Sequence, residues 1–179
     1  MKKLIWIALA LFTLEVLGIV GYNWLAAGYA GDATLTLSRY VGLNLWSCIS
    51  FGVINLAIIV LLSTHALHQK KLGFTLMILL FNICYLALSV CPHLPYESPI
   101  VFIHQFFAIA LFIVMLLIGI SLYNKSQKPA RAITGIFVLY GIHFLIAYAN
   151  HLPYFMDYIL YWEIGYIYLF FLSILMKKD

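Results

Sequence analysis

Charge is what this chain has least of. Lys, Arg, Asp and Glu make up 9% of its residues, against roughly 25% in an average soluble domain, so it cannot present an ordinary water-facing surface. Cysteine is scarce too. Cys48, Cys84 and Cys91 form no CxxC pair and leave at least one thiol unpaired, which disfavours a thiol-oxidising enzyme; they read as small apolar packing residues. No GxSxG or HExxH pattern is present, so the commonest nucleophile and zinc signatures are missing. Nor does any Lys and Arg cluster interleave with aromatics. The net charge of +4 therefore does not point to nucleic acid.

What remains is hydrophobic: 65% of residues, with a mean hydropathy of +1.05. Apolar runs cover 4–25, 43–63, 72–90, 100–122, 132–149 and 158–176. At about 18–23 residues each, they are long enough to cross a hydrocarbon core as helices. The longest connection, 26–42, leaves no room for a soluble domain. The reading is one all-α membrane domain over 1–179, a six-transmembrane-helix bundle. Residues 1–30 resemble a signal peptide, with Lys2 and Lys3 before an apolar stretch and Gly28-Tyr29-Ala30 after it. That stretch contains Glu15 and is too long for a typical cleaved core, so a retained first helix is expected.

The few charges are sorted. Nine of ten basic residues (Lys2, Lys3, Lys70, Lys71, Lys125, Lys128, Arg131, Lys177 and Lys178) fall at alternate ends of the runs, and Arg39 alone falls elsewhere. The positive-inside rule then predicts both termini in the cytoplasm and a multi-pass protein of the cell's cytoplasmic (inner) membrane. Its basic ends would meet anionic headgroups, making membrane lipids its first partners; self-association into a homo-oligomer stays open. Asp32, Arg39, His93, Glu97, His151 and Asp157 face the other way.

A short repeat is visible: His93-Leu94-Pro95-Tyr96 recurs as His151-Leu152-Pro153-Tyr154. Each copy ends a run on the non-cytoplasmic side, where Pro halts a helix. Upstream, Asn82, Tyr85 and Ser89 share one helical face, as Tyr140, His143 and Ala147 do at the same offset. Two consecutive hairpins thus look like parallel copies. Helix rise places Glu15, Asn55, Asn82 and Tyr140 near the bilayer midplane. Tyr22, Ser47, Tyr85, His104, His143 and Glu163 lie nearer the outer surface, among most of the Tyr and Trp residues. Polar groups at such depths should face the bundle interior or a wet cavity.

Gly28-Tyr29, the stretch Leu37-Ser38-Arg39-Tyr40, Cys91-Pro92 and Ile103-His104 together resemble the bacterial six-helix proteins of domain-of-unknown-function family 998. That group is distantly similar in architecture to the Frag1/DRAM/Sfk1 membrane proteins. The resemblance implies the six-helix fold and singles out His104 and the Cys91-Pro92 loop as recurrent polar positions. It implies no activity. The family's Phe-Pro-x-Asp loop is replaced here by Cys91-Pro92-His93, with Glu97 the nearest acid.

Several chemistries suit these residues. A polar and aromatic cavity opening outward, drawing on His104, His143, Glu163, Tyr85, Arg39 and Tyr22, would bind a lipid or small amphipathic ligand. Beneath it, Glu15, Asn55, Asn82 and Tyr140 would form a hydrogen-bonded layer, with Glu15 bonded to Asn55 or Asn82. The plainer alternative is that these polar groups satisfy one another between packed helices. His143 and Glu163 could form the acid–base half of an intramembrane enzyme acting on lipid, although no convincing nucleophile accompanies them. His104 and His143 could ligate b-type haem, and His93, Glu97, His151 and Asp157 a metal ion. Glu15 could couple a proton to transport, but the repeat is parallel and not inverted. The lipid or amphipathic ligand is the favoured expectation, with no cofactor favoured.

Overall fold

Long apolar runs with proline only at their ends have one way to satisfy their backbone in hydrocarbon, the α-helix. The computed structural model, which describes residues 2–26, 32–90, 99–125 and 128–177, folds all six runs in this way. Helix α1 spans Lys2–Ala26, α2 Leu37–Gly42, α3 Leu45–His68, α4 Leu72–Val90, α5 Pro99–Lys125, α6 Lys128–Ala149, α7 Pro153–Met156 and α8 Ile159–Leu175. The described residues contain no strand.

Five helices (α1, α3, α4, α5 and α6) are long and apolar enough to cross a membrane, and α8 is a shorter apolar helix of 17 residues. Only 28–39% of each long span is buried. The outward side chains include Leu14, Leu17, Val53, Leu56, Leu139 and Ile146. Such a surface is tolerable only where lipid is the solvent. The chain is a multi-pass helical membrane protein.

The helices form a ring in which α1 packs on α3, α3 on α4, α4 on α5, α5 on α6 and α6 on α8, and α8 closes against α1. Helix α8 also reaches α5 across the ring, and its aromatic side chains fill the middle. Tyr166 is the hub, stacked against Phe112 at 5.3 Å, Phe137 at 4.8 Å and Phe144 at 5.8 Å between ring centroids. Phe170 continues the column by stacking on Phe81 at 5.0 Å. Glycine makes the crossings close enough. A Cβ on Gly141 would come within 2.5 Å of the Tyr166 hydroxyl, and one on Gly119 within 2.5 Å of the Phe137 ring.

Two short helices lie where connections were expected. Helix α2 starts at Thr36, whose hydroxyl accepts from the Arg39 amide at 3.2 Å, and it buries Leu37, Tyr40 and Val41 against α1, α3 and α8. Asn44 caps α3 by accepting from the Ser47 amide at 2.8 Å. Helix α7 opens on Pro153, a favoured first helical residue. At the lysine-rich end, the Lys177 ammonium sits 3.9 Å from the Phe74 ring centroid and donates to Gln69 Oε1 at 3.2 Å. This ties the end of α8 to the α3–α4 turn.

The described copy of the repeated tetrapeptide works as a helix stop. His151 adopts φ 48°, and the amides of His151 and Leu152 close back onto the carbonyls of Tyr148 and Ala147, the pattern that ends a helix on a left-handed residue. Such backbone costs a non-glycine residue about 1–2 kcal/mol. His151→Gly is therefore expected to keep or raise the unfolding temperature, and His151→Val to lower it. Thermal melts in detergent decide this, and a large loss on His151→Gly would show that the imidazole itself holds the turn.

Candidate functional site

Glu15 on α1, Asn55 on α3 and Asn82 on α4 point into the bundle, with 1%, 0% and 5% of their surface exposed. They do not bond one another, contrary to the expected layer. Asn55 Nδ2 donates to Ser89 Oγ at 3.0 Å, and Asn82 Nδ2 donates to Ser63 Oγ at 2.8 Å. Serines one helix away reach these amides first. The Oδ1 atoms of both asparagines, and both carboxyl oxygens of Glu15, meet no hydrogen-bond partner among the described residues. Tyr140 does not join them either; on α6 it donates to the Trp162 carbonyl of α8 at 3.1 Å and stacks on Tyr166.

Glu15 is buried from solvent yet lines a cleft of about 270 Å³ between α1 and α3. Ser47 and Ser50 supply hydroxyls there, Leu14, Ile19 and Ile54 supply apolar wall, and Tyr22 and Trp46 stand at the rim. Tyr22 and Trp46 are 49% and 72% exposed, so the mouth opens sideways, toward lipid. Gly18 keeps it open, because a Cβ there would meet nothing within 4 Å. Tyr85, on α4, is buried beside Phe51 and Phe81. An unpartnered carboxylate in such a place costs several kcal/mol. It must carry a proton or meet a donor from a ligand.

The residues expected to form one outer cavity do separate work. Glu163 Oε2 accepts from the Leu37 amide at 2.8 Å, so α8 holds the first turn of α2. His143 is half-buried, stacked on Tyr154 at 6.0 Å and beside Trp162 at 5.3 Å, with Nε2 3.4 Å from the Tyr154 hydroxyl. His104 is buried on α5, and Arg39 is half-buried on α2. None of the three described clefts is lined by His104, His143 and Glu163 together. Stacked rings occupy the middle of the bundle.

A hydrogen-bonded lid covers the same end. Asn23 Nδ2 donates to the Ile19 carbonyl at 2.8 Å and to Ser47 Oγ at 3.3 Å, while Asn44 Nδ2 donates to Asn23 Oδ1 at 3.0 Å. Trp24 Nε1 donates to the Tyr40 hydroxyl at 2.8 Å, and that hydroxyl donates to the Asp32 carbonyl. Burial pushes the Tyr40 phenol above its ordinary pKa; the Trp24 bond opposes this, and the charges of Asp32 and Tyr161 add to it. Because Ser47 belongs to both the lid and the cleft, the lid fixes the cleft's outer wall. Glu163→Ala would orphan the Leu37 amide at a cost of about 1–3 kcal/mol. We expect faster amide exchange across 37–42 with the spans unaffected; unchanged exchange there would remove Glu163 from this role.

Sequence reasoning found Glu15 and Tyr22 but passed over Gly18, Asn23, Asn44 and Ser50. The signal available for Asn44 was its place before Leu45-Trp46-Ser47, a capping position. Cys84 is buried and Cys48 half-buried, neither in a disulfide. His93 and Glu97, the first tetrapeptide His93-Leu94-Pro95-Tyr96, Cys91-Pro92, Gly28-Tyr29 and Lys178 lie outside the described residues. Among the described residues no three His, Cys, Asp or Glu side chains gather in a metal-binding group; His151 and Asp157 are both exposed.

Fold and site together define the class, a polytopic helical membrane protein with a cleft between α1 and α3 lined by Glu15. No family model, curated protein or solved structure matches the chain.

Proposed function

We propose that this protein binds a lipid or small amphipathic molecule that enters sideways between α1 and α3 and hydrogen-bonds to Glu15. The observation that carries the reading is Glu15, which lines a cleft with an aromatic rim and whose buried carboxyl has no partner among the described residues. A ligand with an apolar body and a hydroxyl, amide or ammonium group answers both surfaces. With the basic residues inside, the termini are cytoplasmic and the cleft mouth, near Tyr22 and Trp46, lies in the outer half of the cytoplasmic membrane. Membership of the domain-of-unknown-function family 998 group and the parallel hairpin repeat belong to the same proposal. Their support is the sequence pattern set out above.

The test is native mass spectrometry of the protein released from gentle detergent. Wild type should retain an adduct that Glu15→Leu loses. Gly18→Leu should lose it too, since that side chain grows into open space and fills the cleft without disturbing the fold. An adduct unaffected by both substitutions would place the ligand elsewhere, and a bare wild-type protein after mild extraction would sink the reading.

A further inference from the structure

At the end of the bundle away from the lysines, α6, α7 and α8 border a second, open cleft, of about 330 Å³. Its lining among the described residues is Tyr140, Tyr154, Tyr158, Tyr161 and Trp162, all of them aromatic. The back wall is held in place. Tyr140 and Trp162 lie 5.1 Å apart at 47°, joined by the Tyr140 hydroxyl on the Trp162 carbonyl. Gly165 lets that hydroxyl approach, since a Cβ there would come within 2.8 Å of it. Phe155 stacks on Trp162 at 5.7 Å from behind. The rim is open: Tyr154, Tyr158 and Tyr161 are each about half exposed, with Tyr158 stacked on Tyr161 and Tyr154 on His143.

We propose that this cleft is an aromatic cage for a quaternary ammonium group, independent of the Glu15 cleft. Aromatic faces carry negative potential, and rings converging on one void attract a weakly hydrated cation. Aromatics that merely anchor a helix at the interface stand apart along it; these five share a cavity. The charge of this end agrees. Its described residues include one cation, Arg39, against Asp32, Asp157 and Glu163. No carboxylate is among the described lining residues. A primary ammonium would exchange its water for phenol hydroxyls as the acceptors of its N–H groups, whereas a quaternary ammonium has no N–H to satisfy. The trimethylammonium could belong to a choline phospholipid or to a free solute such as choline or betaine.

The experiment follows intrinsic tryptophan fluorescence of the full chain in a maltoside detergent, titrated with choline, tetramethylammonium and 3,3-dimethylbutan-1-ol. The last is the neutral isostere of choline. Both cations should give a saturable change, with the alcohol at least about tenfold weaker, the difference expected of a partly desolvated cation–π contact. Tyr161→Phe and Tyr158→Phe should bind as wild type because the ring remains, and Tyr161→Leu should weaken choline about tenfold. Gly18→Leu should bind choline normally, which separates this cage from the Glu15 cleft. Equal response to choline and its isostere would overturn the proposal, as would no saturable response or unchanged binding in Tyr161→Leu. Native mass spectrometry from phosphatidylcholine and phosphatidylglycerol nanodiscs names the source. Selective retention of the choline lipid identifies a headgroup, and choline binding without lipid retention identifies a free solute.

Discussion

Gly141→Ala should lower the apparent unfolding temperature of this protein sharply. The new Cβ would sit 2.5 Å from the Tyr166 hydroxyl and 2.7–2.8 Å from two of its ring carbons. A flexible side chain would swing aside, but Tyr166 cannot. It is 1% exposed, gripped by Phe112, Phe137 and Phe144, and its hydroxyl donates to the Phe112 carbonyl at 3.3 Å. Relief must come from α6 and α8 moving apart, which loosens the aromatic column they share. Overpacking of this kind costs about 1–3 kcal/mol. Gly52→Ala is the control: its Cβ meets nothing within 4 Å, and alanine is the better helix former by about 0.5–1 kcal/mol. Thermal melts in one detergent, followed by circular dichroism, should rank Gly52→Ala at or above wild type and Gly141→Ala well below. If Gly141→Ala melts with wild type, the α6–α8 crossing is looser than described.

The second large effect runs the other way. Glu15→Leu is expected to make the ligand-free protein more stable while ending its retention of an adduct. Both carboxyl oxygens are buried without partners among the described residues, and a carboxyl at mid-membrane depth is disfavoured relative to leucine by about 3 kcal/mol on insertion scales. Part of that is offset by the poorer fit of leucine, leaving a gain of about 1–2 kcal/mol, or roughly 2–8 °C for a chain of this size. Glu15→Gln keeps the shape and a hydrogen-bonding end, so it should fall between the two in both respects. A structural role predicts the opposite pattern. If Glu15→Leu melts lower than delipidated wild type, the carboxyl is holding helices together and the ligand reading loses its basis.

The sequence reports the spans well because length and apolarity alone decide them. It reports their ends less well. Helix α3 continues to His68, past residue 63, because the polar residues there are satisfied from within: Ser63 accepts from Asn82, and Thr64 donates to the Val60 carbonyl. Polar residues with partners do not stop a helix. Helix α2 was legible in principle, with Thr36 as cap and Leu37, Tyr40 and Val41 at helical spacing; six residues inside a long connection are easily read as loop. For the site, depth counting correctly turned Glu15, Asn55 and Asn82 inward but could not choose their partners. Ser63 and Ser89 reached the amides because neighbouring helices set the register, and register is a property of packing. Nor could depth counting choose the partners of the side chains expected around an outer cavity. Counting residues along helices also says nothing of side-chain volume, and Phe112, Phe137, Phe144 and Tyr166 pack together inside the bundle.

The shortness of α8 has a consequence for the bilayer itself. Seventeen residues extend about 25 Å, less than the roughly 30 Å of a typical hydrocarbon layer, while the 27 residues of α5 extend about 40 Å. Hydrophobic mismatch of opposite sign on two walls of one bundle is relieved by tilting the long helix and by thinning lipid beside the short one. The Tyr and Trp residues at the head of α8 then sit deeper than a full-length span would place them. Acyl chains packed there should be more compressed and disordered than those along α5, and the protein should favour thinner membranes.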